Sequence, residues 1–169
     1  GLGVFNGQTL KELKRLGFRS ATLSFELKLA QIRDLSKCLD TELITYGRLP
    51  LMITENCLVQ NETGCRLDRQ GPCVPEDGPC RCGQPNVLVD RTGAAFPLLP
   101  AYGHRTEIQN SKPLYLADRP EHRRLGLAYA RLRFTTETAE ECVSVVQNYL
   151  DAAPAAGDFT RGLYERGVE

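Results

Sequence analysis

The sequence predicts an α/β fold: a partial, half (β/α) barrel carrying a cysteine-rich insertion that contains a β-hairpin. Three observations carry this reading. Strand-like and helix-like segments alternate from the N-terminus as far as Gly47. Five of the seven cysteines crowd between Cys57 and Cys82. The chain has 169 residues, and a closed eight-unit barrel takes about 250.

The elements follow in order. GVF is a short apolar strand opening. Thr9 and Glu12 are spaced as a capping box, and Leu10, Leu13 and Leu16 then share one helical face. Gly17 stops that helix, because glycine accepts the left-handed backbone of a helix terminus. ATLSF is the next strand, and Leu29, Ile32 and Leu35 place a second helix within Leu27 to Lys37. TELITY is a third strand. Strands joined through helices this closely run parallel with right-handed crossovers. RLPLMIT extends toward the cysteines. VLVD and AAFPLL flank an Arg-Thr-Gly turn and form a hairpin, with Pro97 pushing its strand toward an edge. HRTEIQN is a further strand, Pro113 to Leu125 a helix or turn, and LAYARLRF a strand. Thr138 and Glu141 form a second capping box. Ala139, Cys142, Val143, Val146, Tyr149 and Leu150 line one face behind it, with Cys142 toward the core. DAAPAAGD is rich in helix breakers and leads into a tail, FTRGLYERGVE, without periodicity. The organisation is therefore a partial barrel over 1–151, with a cysteine-rich loop at 54–86, and a linker and tail over 152–169.

Lys+Arg and Asp+Glu both number 21, so net charge selects no partner. Its distribution is uneven. Seven basic residues lie between His104 and Arg133, and seven acidic ones from Glu137 onward. The basic stretch suits RNA or another anion, or simply a solvated face. No apolar run is long enough to cross a membrane and no signal-peptide pattern is visible, so the expected setting is cytoplasmic, with no membrane partner. The chain opens on Gly1 and its one methionine is Met52, so it reads as a piece of a longer protein whose remainder is its first partner. An incomplete parallel sheet leaves edges to cover, which makes a homodimer a second expectation.

The cysteines carry most of the chemistry. Thiolates are soft ligands, and several on one loop can wrap zinc or an iron–sulfur cluster. Cys57, Cys73, Cys80 and Cys82 are the first candidates, then Cys65 and His104. The alternatives are reduced structural thiols or disulfides, and spacing alone does not separate zinc from a cluster. His122, in Glu-His-Arg-Arg, reads as part of a charged surface patch. The chain has no His-Glu-x-x-His, no Gly-x-Ser-x-Gly, no Walker loop and no Gly-x-Gly-x-x-Gly. With two histidines and neither beside an obvious nucleophile, no catalytic pair is visible.

LGVFNGQTLKELKRLG, ATLSFEL, TELITYGRLPLMITENC, LVDRTGAAFPLLP, IQNSKPLYLAD and FTRGLYERGV, in that order, resemble the collagenase-like (PrtC-like) peptidase family, number thirty-two of the peptidases of unknown catalytic type. The likeness is strongest to the C-terminal partial barrel of the long bacterial members. It implies a (β/α) barrel with clustered cysteines, and in several members a role in RNA or ubiquinone-pathway hydroxylation with a four-iron, four-sulfur cluster. Carried over by position, the first cluster cysteine falls on Pro50 and the second on Cys57. The Gly-x-Cys and Pro-Cys-Arg stretches fall on Gly71 to Cys73 and Pro79 to Arg81, and the last ligand lies nearest His104. Cys65, Cys80 and Cys82 are further thiols that would complete a cluster or build a zinc site. Arg48, Arg105, Lys112 and Arg161 lie within the shared segments near strand ends, where parallel α/β folds bind anions. At least two of them are expected to border one groove with the cysteine loop. The implied role is support of RNA or small-metabolite modification. The rivals are a peptidase domain acting on peptides with the rest of its chain, and a non-catalytic structural or dimerising domain.

Overall fold

A computed structural model describes residues 3–63 and 84–166. The chain divides into two compact units, Gly1–Gly47 with Lys112–Glu169, and Arg48–Ser111. Helices and strands are mixed in the first and strands dominate the second. The described residues form no closed barrel.

The first unit opens without a paired strand at GVF, yet Val4 is buried and its carbonyl accepts the Ser24 amide at 3.0 Å. Helix α1, Gly7–Arg15, starts earlier than Thr9 because Asn6 caps it, its Oδ1 accepting the Thr9 amide at 2.9 Å. Glu12 therefore turns forward to Arg15 instead of back to a cap. Leu10 and Leu13 are buried, while Leu16 is exposed at the helix end. Strand β1 is Ser20–Thr22. Helix α2, Leu29–Asp34, is shorter than its apolar spacing suggests. Leu35 turns extended, and the Lys37 ammonium holds the carbonyls of Ile32 and Leu35 at 2.6 and 3.3 Å. Strand β2, Asp40–Gly47, then runs through the unit with Thr41, Leu43 and Thr45 almost fully buried.

The second unit contains β3, Pro50–Thr54, a short helix α3, Leu58–Thr63, and then β4, Asn86–Val89, β5, Ala95–Ala101, and β6, Arg105–Gln109. The order is β3-β6-β5-β4, antiparallel throughout. The hairpin at Arg-Thr-Gly forms as its sequence suggests. Asp90 Oδ1 accepts the amides of Thr92 and Ala94 at 2.7 and 3.0 Å. Pro97 does not mark an edge strand, since β5 lies between β4 and β6. It is tolerated because it faces Val87 of β4, while the β6 ladder begins one residue later, at Leu98. The segment expected as a cysteine-rich loop, 54–86, is not all loop either, since α3 lies within it, just after Cys57.

The chain re-enters the first unit as β7, Leu114–Tyr115, followed by a 3₁₀ turn at Pro120–Arg124, β8, Tyr129–Leu132, and helix α4, Ala139–Asp151. β2 is the hub. It pairs in parallel with β1 and with β8, and antiparallel with β7. The Thr138–Glu141 capping box forms at α4. The buried face of α4 is not the expected stripe. Val145 and Tyr149 pack on the aromatic cluster, whereas Val143, Val146 and Leu150 are exposed at 71%, 41% and 71%. Cys142 is half-buried. The rotation follows from Tyr149, whose hydroxyl accepts the Leu116 amide at 2.9 Å and donates to the Thr45 carbonyl. The C-terminal segment also packs in. Thr160 bridges Leu114, and Tyr164, 1% exposed, donates to the Ile44 carbonyl at 2.7 Å.

Gly47 ends β2 at φ 116°, and a Cβ there would sit 2.0 Å from the Arg133 carbonyl oxygen. Both backbone strain and a backbone clash oppose any side chain. Gly47→Ala is expected to cost roughly 2–4 kcal/mol. The check is urea denaturation followed by near-ultraviolet circular dichroism of the tyrosines clustered in this unit. A midpoint equal to that of the wild type would contradict the close approach.

Candidate metal-ligating and anion-binding residues

Cys57 is the one member of the cysteine cluster within the described residues; Cys65, Cys73, Cys80 and Cys82 lie outside them. It precedes α3 and is 9% exposed, packed with Val59 and Leu98 against Leu58 and Ile108. Its thiol is free. The turn around it is held on both sides. Thr54 Oγ1 donates to the Asn56 carbonyl at 2.5 Å, and the Leu58 amide donates to Oγ1 of the buried Thr106 at 3.0 Å. The β3 end and the first turn of α3 are thus tied to β6, and the chain runs from that anchor into the cysteine segment. His104 stands in the β5–β6 turn with a left-handed backbone, φ 59°, after Gly103 at φ 74°. It is half-buried. Among the described residues no group of three or more His, Cys, Asp or Glu side chains is arranged to hold a metal ion.

The four candidate anion-binding cations divide between the units. Arg48 and Arg105 belong to the second, Lys112 and Arg161 to the first. Arg48 Nη1 donates to the carbonyls of Asn110, at 3.0 Å, and of Ser111. The Asn110 amide meanwhile donates to the Leu49 carbonyl at 2.8 Å. Arg48 thereby joins the first residues of its unit to the last. Arg105 Nε donates to Glu55 Oε2 at 3.0 Å in an exposed pair, which contributes little to stability. Lys112 lies 3.5 Å from the exposed carboxylate of Asp158.

Arg161 is largely enclosed, its side chain 17% exposed. Its guanidinium grips both Asp118 oxygens at 2.6 and 2.7 Å, donates to the Tyr115 carbonyl at 2.6 Å, and stacks 4.4 Å from the Phe159 ring centre. This is a bidentate, cation–π-supported pair. The guanidinium holds the Asp118 carboxyl below its ordinary value against a smaller opposing effect of burial. No sequence pattern announces this pair, because the partners are distant in the chain and meet only when the C-terminal segment docks. His122 also departs from its reading as a surface residue. It is 5% exposed, its Nδ1 lies against the Arg119 carbonyl, and burial lowers its tendency to protonate.

Residues 2–91 match the model of peptidase family U32, which is more than half of the 169-residue chain. The chain belongs to peptidase family U32. No curated protein and no solved structure matches it significantly. No helix among the described residues is long and apolar enough to cross a membrane.

Two outcomes follow from the cations. Arg48→Ala removes donors to two carbonyls and should destabilise the second unit by about 1–3 kcal/mol, whereas Arg105→Ala should change its stability by less than about 1 kcal/mol. Limited proteolysis within 48–111 reads the difference; equal protection of both variants would contradict it. The Asp118–Arg161 pair sets an acid limb. A carboxyl depressed in the folded state contributes stability above its unfolded value, about 3.9, and that contribution fades as pH falls through the folded value. Asp118→Asn should therefore lower stability at pH 7 and flatten its decline below about pH 4. Stability measured from pH 7 to pH 2 checks this, and an unchanged slope would count against the pair.

Proposed function

We propose that this chain is a peptidase family U32 domain, its first unit being part of a (β/α) barrel, that binds an iron–sulfur cluster or zinc through its cysteine loop. In that role it supports modification of RNA or of a small metabolite by a larger protein. The observation that carries the reading is Cys57: a buried, free thiol fixed on the β6–α3 packing at the entrance to a segment bearing Cys65, Cys73, Cys80 and Cys82. Most of the donor set is thiol, which fits zinc or iron and suits no hard cation. Cys57, Cys73, Cys80 and Cys82 are the first ligands in this reading, with Cys65 and His104 behind them. A bound cluster would supply electron transfer or local order; bound zinc would supply local order. Arg105, exposed on the same unit, is the cation proposed to meet a phosphate. The family's name favours a second reading, in which the chain hydrolyses peptides with residues from elsewhere in its protein.

The test is metal and acid-labile sulfide analysis of the full chain purified without oxygen. Iron with sulfide and visible absorption identifies a cluster, and zinc without sulfide a closed thiolate site. Cys57→Ser should cut the bound metal by more than half. Wild-type protein that retains neither metal after reconstitution would overturn the proposal. RNA titrated onto the loaded protein should lose about one unit of salt slope in Arg105→Ala. Peptide cleavage abolished by one point substitution would favour the second reading instead.

A further inference from the structure

Cys57 stands directly before Leu58, the first residue of α3. The first amides of a helix have no partner within it, and the residue before the helix ordinarily supplies an oxygen to one of them. A thiol is a weak acceptor and does this poorly. Here the acceptor comes from another strand. Thr106 Oγ1, on β6, takes the Leu58 amide at 3.0 Å. Thr106 is 3% exposed, and its strand is interior, paired with Thr54 of β3 on one side and Pro100 of β5 on the other. The backbone around Cys57 is held as well. Its carbonyl accepts the Gln60 amide at 3.2 Å, and the Asn56 carbonyl accepts Thr54 Oγ1 at 2.5 Å. The helix end therefore makes no demand on the Cys57 thiol, which is free, on a backbone whose place is set by β6.

Two links from β6 reach this turn, and burial decides between them. Arg105 meets Glu55 in an exposed pair, which water and salt weaken. The Thr106 side chain is buried, and an amide that loses its acceptor in such a place bears the cost of its own desolvation. Thr106 also lies two residues beyond His104, the other candidate ligand among the described residues. The strand that holds Cys57 is thus the one into which His104 leads.

We propose that Thr106 is the positioning residue of the thiolate site. By accepting the Leu58 amide it fixes the Cys57 backbone, and with it the direction from which the sulfur meets zinc or iron. Thr106 is not itself a ligand. Groups that hold a metal ligand in place are commonly worth about ten- to a hundredfold in metal affinity. The inference rests on the reading of Cys57 as a ligand.

The reduced full chain tests this in two arms. In the first, zinc is competed against a chromophoric chelator. Thr106→Val keeps the shape but removes the acceptor, and should weaken zinc binding about tenfold or more. Thr106→Ser keeps the acceptor and should stay within about threefold of the wild type. Asp90→Ala loosens the same unit at the β4–β5 turn, where Asp90 Oδ1 holds the amides of Thr92 and Ala94, and should also stay within about threefold. In the second arm iodoacetamide labels the metal-free protein, and peptide mass analysis reads Cys57. Labelling should be about fivefold faster in Thr106→Val, and no more than about twofold faster in Thr106→Ser or Asp90→Ala. A wild type that takes a cluster and not zinc leaves the decision to this arm. Slow hydrogen exchange of the wild-type Leu58 amide supports the proposal if Thr106→Val does not fold, and exchange at the rate of an open chain then overturns it. A wild type that binds neither zinc nor iron defeats the functional reading and the proposal together. The proposal alone fails if the wild type binds metal while Thr106→Val binds it as tightly, labels Cys57 no faster, or is matched in either arm by Asp90→Ala.

Discussion

The hydroxyl groups of Tyr149 and Tyr164, donated to the carbonyls of Thr45 and Ile44, are the contacts on which the first unit depends. These carbonyls lie on β2 where its register with β8 shifts, between Ile44 and Tyr46. Buried backbone groups must find partners, and a missing one costs the full desolvation of that group. One tyrosine comes from α4 and the other from the C-terminal segment, so the same two hydrogen bonds bring both elements to the central strand. Burial pushes the Tyr149 phenol up to about 12 and raises that of Tyr164 as well. Both therefore keep their protons, and remain donors, across the physiological range.

From that contact the remaining packing follows. Tyr149 also accepts the Leu116 amide and lies edge-on to Tyr46 and Tyr115, with ring centres 6.3 and 5.6 Å away. Tyr115 donates to the Ala153 carbonyl at 2.8 Å, just past α4, and its own carbonyl receives Arg161. The Asp118–Arg161 pair thus sits at the end of a chain of hydrogen bonds that starts in β2. The orientation that buries Tyr149 is also what turns Val143, Val146 and Leu150 outward. The exposure of these three apolar side chains is in this sense a consequence of satisfying the Thr45 carbonyl.

The second unit is organised by a different constraint. Its ends are brought together by Arg48 and by the Leu49–Asn110 hydrogen bond, and its sheet holds Cys57 in a small apolar cluster. A loop poor in apolar residues gains little from burial, so an anchor at its entrance and a ligand along its length are complementary ways to order it.

Much of the fold was legible from local signals. Strand-like segments and helical spacings located β2, β8, α1 and α4. Thr138 and Glu141 marked the start of α4, and Asp90 to Gly93 marked the hairpin, because caps and turns are made by residues near in sequence. The family was legible too, since its N-terminal motifs lie within the residues that the U32 model matches. What local signals do not carry is rotation and long-range pairing. The stripe on α4 fits two faces, and only the reach of Tyr149 to β2 chose between them. The C-terminal segment has no periodicity, yet Tyr164 is among the most buried of the described residues, because its hydroxyl's partner is a strand carbonyl, that of Ile44, rather than a neighbour in sequence. Pro97 reads as an edge residue until β6 is seen to begin beside it, at Leu98. By itself the sequence determined most of the elements and the family; the tertiary structure alone decided which sides face inward, since burial depends on partners far away in the chain.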